Sequence, residues 1–296
     1  MRSNPYALFK TLMAKWRTGP VKEGAFLIAG CQRSGTTLLR LLLESHPTIS
    51  CVDEMLSYTV LSKTTRSNSG HFVGYKIPIW TEQLDQAMLR PNELEPIGKV
   101  GLIPNFYSGQ KILFMVRSPL DVVASMRQLR VGEWQWLEHV CRPVMEAMLQ
   151  EEEFRRSYAV EIEQLRNSAI PDVGLGALYW KWKTSALLRY LGQGLPVHPV
   201  IYEQLIFDPE AVMREVLMFL GIEWHPNVLM HHRRSHSQLI EGIAIGGTDA
   251  KRALDGKSLG KWRSVLTTNE RDLVLSISAP LSEDLKAIPG WDKAMP

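Results

Sequence analysis

Eight residues between an apolar run and a helix-like stretch read Gly30-Cys31-Gln32-Arg33-Ser34-Gly35-Thr36-Thr37. The two glycines let the backbone wrap tightly and aim its N–H groups inward, and a helix opening after Gly35 adds free amides and a positive dipole end. Arg33 contributes a fixed charge, while Ser34, Thr36 and Thr37 contribute hydroxyl donors. This is chemistry for holding a phosphate or a sulfate. The spacing is that of a Walker A loop, G-x-x-x-x-G-K-[ST], with Thr36 where the lysine belongs. In a nucleoside triphosphatase that lysine reaches the terminal phosphates with help from Mg²⁺. Its absence, with no convincing strand-ending aspartate to hold a metal, points to a nucleotide bound without a triphosphate or a metal.

Such a loop needs a strand before it and a helix after it. Residues 25–30 (AFLIAG) form a short apolar run that stops at glycine, and residues 36–45 (TTLLRLLLES) read as a helix ended by His46-Pro47. Residues 111–117 (KILFMVR) read as a second buried strand, followed by a helix over 120–130 with Pro119 at its opening. A third strand is expected at 199–202. The helix after it runs to Leu220, with Asp208 as N-cap, Pro209 in the first turn and Gly221 as C-cap. Alternating strands and helices predict an α/β fold: one domain over 1–296, a P-loop-like parallel sheet flanked by helices. An N-terminal extension (1–23) precedes it, and a helical insertion near 132–183 interrupts it.

Lys, Arg, Asp and Glu are interleaved, and the net charge of +3 is small. That argues against nucleic-acid binding by bulk charge and fits one local anionic pocket. Cys31, Cys51 and Cys141 lie far apart with no metal-ligand spacing, so a reducing compartment is the expectation. No run of eighteen apolar residues is present, and the basic N-terminal stretch lacks the core of a secretory signal. The sequence therefore predicts a cytoplasmic protein without a transmembrane segment.

Taken together, the motifs resemble those of the PAPS-dependent sulfotransferases, which use 3′-phosphoadenosine 5′-phosphosulfate as sulfuryl donor and release PAP. The family's 5′-phosphosulfate loop, [PK]-[RK]-S-G-T-T, is similar to Gln32–Thr37 except at its first position. Its 3′-phosphate site, a strand-ending arginine with a serine eight positions on, matches Arg117 and Ser125. Glu44-Ser45-His46-Pro47 with Cys51-Val52-Asp53-Glu54 resembles the A-H-P…C-G-E-E stretch of the tyrosylprotein sulfotransferases and their bacterial relatives. Tyr202-Glu203-Gln204-Leu205 resembles their Y-E-Q-L, and Leu259-Gly260-Lys261-Trp262 their L-S-K-W.

The resemblance implies roles. Glu54 falls on the general base, with Asp53 as the neighbouring alternative; Lys76 and Arg33 would neutralise the departing phosphate. Arg33, Ser34, Gly35, Thr36, Thr37, Arg117 and Ser125 would hold the nucleotide, with Tyr202 and Lys257 as secondary contacts. Trp180 or Trp182 offers a stacking face for adenine, although helical tryptophans more often pack. His231, His232 and His236 lack a partner at usable spacing, so no metal is expected, and they read as surface or acceptor-side residues. His46 reads as a capping residue at a helix end. The Glu/Arg pattern of 151–166 reads as an exposed helix, within a region that would cover the acceptor site.

The acceptor implied is a hydroxyl, with peptide tyrosine ahead of glycan, lipid or small-molecule hydroxyls; a homodimer is plausible by analogy. Two readings from other classes compete: a degenerate P-loop kinase needing ATP and Mg²⁺, and a non-catalytic nucleotide-binding protein.

Overall fold

The computed structural model describes residues 25–54, 71–89, 109–131, 133–166, 171–236, 239–240, 243–244 and 247–294. The N-terminal extension lies outside the described residues. Five strands, β1 (Ala25–Gly30), β2 (Ile49–Val52), β3 (Phe72–Lys76), β4 (Lys111–Val116) and β5 (Val197–Ile201), form one parallel sheet in the order β2-β3-β1-β4-β5. Strands β1 and β4 are buried along nearly their whole length, as continuous apolar runs in a sheet covered on both faces must be.

Side chains alternate across the pleat and feed two cores. Phe26, Ile28, Leu113 and Met115 pack under helices α1 (Thr36–Glu44) and α4 (Pro209–Leu220). Leu27, Ala29, Ile112 and Phe114 face the opposite side, where α2 (Pro119–Gln128), α3 (Pro171–Gly192) and α5 (Thr268–Asp284) lie. The α/β class with helices on both faces is as the sequence indicates.

Strands 25–30 and 111–117 and the helix after Gly35 fall where expected. Asp208 caps α4 by accepting from the Ala211 N–H at 3.2 Å, and Gly221 ends it with a φ of 77°. The third strand starts at Val197 rather than Pro199, and proline is tolerated because β5 is an edge strand. Strands β2 and β3 were not expected: each is short and carries glycine, serine or cysteine rather than an unbroken apolar run.

Residues 151–166 are two short helices, Glu152–Ser157 and Ala159–Arg166, not one exposed helix. Glu161 is buried against Lys181 of α3 instead of lying in solvent. Helix α3 itself extends past the expected limit of the insertion and packs its Ala177, Trp180 and Leu187 in the main core. His46 does not cap α1: its Nε2 bonds the Glu223 carbonyl at 2.9 Å and its Nδ1 accepts the Thr48 N–H.

Candidate active site

All five strands end on the same side of the sheet, and each delivers a candidate residue there. Ligands of open parallel sheets lie outside these carboxyl ends. Strand β1 runs into the anion loop, β3 ends at Lys76, and Asp53, Arg117 and Tyr202 directly follow β2, β4 and β5. Register then fixes neighbours. Val116 pairs with Ile201, so Arg117 and Tyr202 leave the sheet side by side, the guanidinium 4.2 Å from the ring centroid. Val52 pairs with Tyr75, which places Asp53 next to Lys76.

The loop is held in an uncommon conformation. Gly30 has a φ of 126°, and a Cβ there would stand 2.3 Å from the Met115 carbonyl oxygen. Its N–H donates to Thr81 Oγ1 at 2.9 Å, and that hydroxyl donates back to the Gly30 carbonyl at 3.0 Å. Arg33 has a φ of 74°, costly for a residue with a side chain and characteristic of functional turns. Gly35, with a φ of 103°, lets the Tyr202 ring approach to 2.4 Å from where a Cβ would sit.

Arg33, Arg117 and Ser125 converge. Arg33 Nε donates to Ser125 Oγ at 3.1 Å, and Arg117 Nη1 donates to the Arg33 carbonyl at 3.2 Å. Burial first, then the charge of Arg117, pulls the Arg33 guanidinium down to about 10. Two cations this close suit an anion between them. The buried Ser34 hydroxyl makes no hydrogen bond among the described residues, a donor left over in the turn. Thr36, Thr37, Arg117, Ser125 and Tyr202 line one cleft with Arg33, and Arg252, Ser258 and Lys261 form its far wall.

Lys257 stands apart from that wall: it is exposed, and its N–H donates to Asp255 at 3.1 Å. The cations at the cleft from this segment are Arg252 and Lys261. Asp121 fastens the segment by accepting the Gly260 N–H at 2.8 Å and the Trp262 N–H at 3.3 Å, while Arg117 donates to the Ser258 carbonyl.

At the β2–β3 end, Lys76 is buried and donates to Thr37 Oγ1 at 2.9 Å and Asp53 Oδ1 at 2.8 Å. Glu54 Oε2 lies 3.9 Å from the same ammonium. Asp53 and Glu54 thus gather around Lys76, beside Thr37.

Trp180 is fully buried, stacked on Trp291, and donates to the Arg117 carbonyl at 3.0 Å; it packs rather than offering a face to a base. Trp182 packs against Phe154 and Tyr179, and the Tyr179 hydroxyl donates to Gln32 Oε1 at 2.6 Å. His231 and His236 are buried rather than on the surface, bonded to the Arg252 carbonyl and to Glu44. Among the described residues no cluster of three His, Cys, Asp or Glu side chains could hold a metal.

Thr81, Asp121 and Arg40 escaped the sequence reading. Only Arg40 left a signal, a charge in the middle of the apolar helix run LLRLLL.

Glu203 braces the same strand end, accepting the Ser118 N–H at 3.0 Å. Burial pushes its carboxyl up to about 7 against the pull of that N–H and of Arg117. Between its ordinary 4.5 and 7 the folded chain keeps a proton that the unfolded chain releases. The stability contributed is full below 4.5 and is lost as pH rises through 7. Urea midpoints of the wild type should therefore fall relative to Glu203→Gln across that window, and parallel curves would refute the assignment.

The sulfotransferase domain family matches residues 23–240 of the chain. Protein-tyrosine sulfotransferase 1 of Danio rerio is 27% identical over 304 residues, covering 95% of this chain and 79% of the relative. Protein-tyrosine sulfotransferase 2 of Gallus gallus is 28% identical over 215 residues, covering 69% of this chain and 53% of that protein. Among solved structures, the sulfotransferase domain from the curacin biosynthetic pathway superposes with a TM-score of 0.51 at 16% identity, covering 88% and 98% of the two chains. A mouse sulfotransferase complexed with PAP gives 0.50 at 13% identity, covering 95% and 93%. These two share the fold. The family match over 23–240 takes in every strand end described above, and the chain belongs to the sulfotransferase domain family.

Proposed function

We propose that the protein transfers a sulfuryl group from PAPS to a hydroxyl acceptor, with a peptide tyrosine as the leading acceptor. The observation that carries the donor assignment is the convergence of Arg33, Arg117 and Ser125 over a glycine loop without a Walker lysine. The loop amides, Ser34, Thr36 and Thr37 suit a 5′-phosphosulfate, and Arg117 with Ser125 suits a 3′-phosphate. Tyrosine as acceptor rests on the similarity to the zebrafish and chicken proteins.

Glu54 takes the proton from the acceptor hydroxyl as its oxygen bonds to sulfur. The bond between sulfur and the bridging oxygen breaks, and PAP leaves with that electron pair. Lys76 and Arg33 stabilise the charge growing on the bridging oxygen. An ammonium has three N–H donors, of which Lys76 commits two, to Thr37 and Asp53. The third is available to a ligand oxygen beside Thr37.

Thermal melts with PAP test the donor site, with ATP plus Mg²⁺ as comparison and Arg117→Ala as control. PAP at 100 times its Kd should add about 2.7 kcal/mol to the wild type and far less to the variant. Stabilisation by ATP with Mg²⁺ alone would favour the kinase reading; PAP binding with no turnover on any hydroxyl would favour the non-catalytic one.

A further inference from the structure

Arg40 lies in the middle of α1, three residues beyond Thr37, and its side chain is wholly buried. Leu39, Leu41, Leu42 and Leu43 around it fill the core, so packing alone does not call for a cation. Burying a guanidinium costs several kcal/mol unless it is paired. Arg40 Nη1 donates to Glu44 Oε2 at 3.1 Å, and its Nε faces Asp53 Oδ2 at 3.3 Å. The other oxygen of Asp53 accepts from Lys76 at 2.8 Å. Lys76 in turn lies 3.9 Å from Glu54. The side chains alternate in sign along one line: Glu44, Arg40, Asp53, Lys76, Glu54.

We propose that Arg40 is a positioning residue for the transfer step: anchored by Glu44, it fixes the Asp53 carboxylate, which in turn sets Lys76 relative to Glu54 and Thr37. This rests on the roles given above to Glu54 and Lys76. The terminal torsion of an aspartate is soft, so a carboxylate bonded on one oxygen can turn and carry its partner with it. Asp53 meets a cation on each oxygen: Lys76 of β3 donates a hydrogen bond to Oδ1, and Arg40 of α1 makes an ion pair with Oδ2 at 3.3 Å without an aligned hydrogen bond. The Glu54 N–H also donates to Asp53 Oδ1, which ties the backbone of Glu54 to the same group. Releasing one side would let Lys76 drift, and a misplacement of about 1 Å can cost roughly 10²-fold in rate. Lysine at position 40 keeps the charge but loses the planar fork that reaches Glu44 and Asp53 together.

A double-mutant cycle with Arg40→Lys and Asp53→Asn tests this, using PAPS with a synthetic tyrosine peptide for turnover and PAP for thermal melts. Arg40→Lys should lower kcat by about 10²-fold while leaving KM for PAPS and the PAP-induced rise in Tm unchanged. The double variant should be no slower than the slower single one, because both act through the same carboxylate. Glu44→Gln, which loosens Arg40 without touching Asp53, should lower kcat in the same direction and covers the case in which Arg40→Lys does not fold. Unchanged kcat in a folded Arg40→Lys or Glu44→Gln chain, or losses that multiply in the double variant, would overturn the proposal. A wild type that neither binds PAP nor sulfates the peptide would instead remove the roles of Glu54 and Lys76, and the inference would fall with them.

Discussion

Glu54→Gln is expected to bind PAP as the wild type does and to lose about 10²–10⁴-fold in kcat. Glutamine keeps the shape of the side chain and its reach toward Lys76, 3.9 Å away, but it cannot accept the acceptor's proton. A neutral hydroxyl is a weak nucleophile, so the loss should appear in the chemical step and not in nucleotide affinity. Glu54 is suited to that step by place as well as type: it is the second residue after β2 and keeps 22% of its side chain exposed, while Asp53 beside it is sealed in the interior. Single-turnover rates with PAPS and a tyrosine peptide read the effect. A variant that turns over at the wild-type rate would dismiss Glu54 as the base.

Gly30→Ala should destabilise the fold itself. The substitution adds a Cβ 2.3 Å from the Met115 carbonyl oxygen, and it does so at a φ of 126° that side chains avoid. The obstacle is backbone of the neighbouring strand, which pairs Gly30 with Met115 in the sheet and cannot step aside without breaking register. A strained backbone costs of order 1–3 kcal/mol, and overpacking adds a similar amount, so a loss of about 2–6 kcal/mol is expected. Urea unfolding measures it, with Gly192→Ala as the matched control, since nothing lies within 4 Å of the Cβ position there. Equal midpoints for the two variants would contradict the geometry.

The anion site was legible in the sequence because its parts are local. Strand, glycine loop and helix occupy twenty consecutive positions, and Arg117 with Ser125 are eight residues apart on a strand end and the helix after it. The β2–β3 end was legible only as isolated residues. Asp53 and Lys76 are brought together by the pairing of two short strands that carry no strong strand pattern, so their contact could not be read from composition. The far wall of the cleft was least legible. Arginine and lysine recur there at 251, 252, 257, 261 and 263, and long-range bonds such as those from Asp121 to Gly260 and Trp262 set which of them line the cleft. The histidines misled for a related reason, since their partners, the Arg252 carbonyl and Glu44, lie far along the chain.

The uniform direction of the five strands also divides the molecule by its tolerance for change in length. One residue inserted into β2 or β4 would turn Asp53 or Arg117 to the opposite face, because side chains alternate with every step. The turn that enters β5 at the other end is different: nothing lies within 4 Å of where a Cβ on Gly194 would stand. Doubling a loop costs only about 0.6 kcal/mol in closure entropy. Insertions and deletions should therefore be absorbed where the strands begin and refused within them, so that strand length acts as the ruler by which the site is assembled.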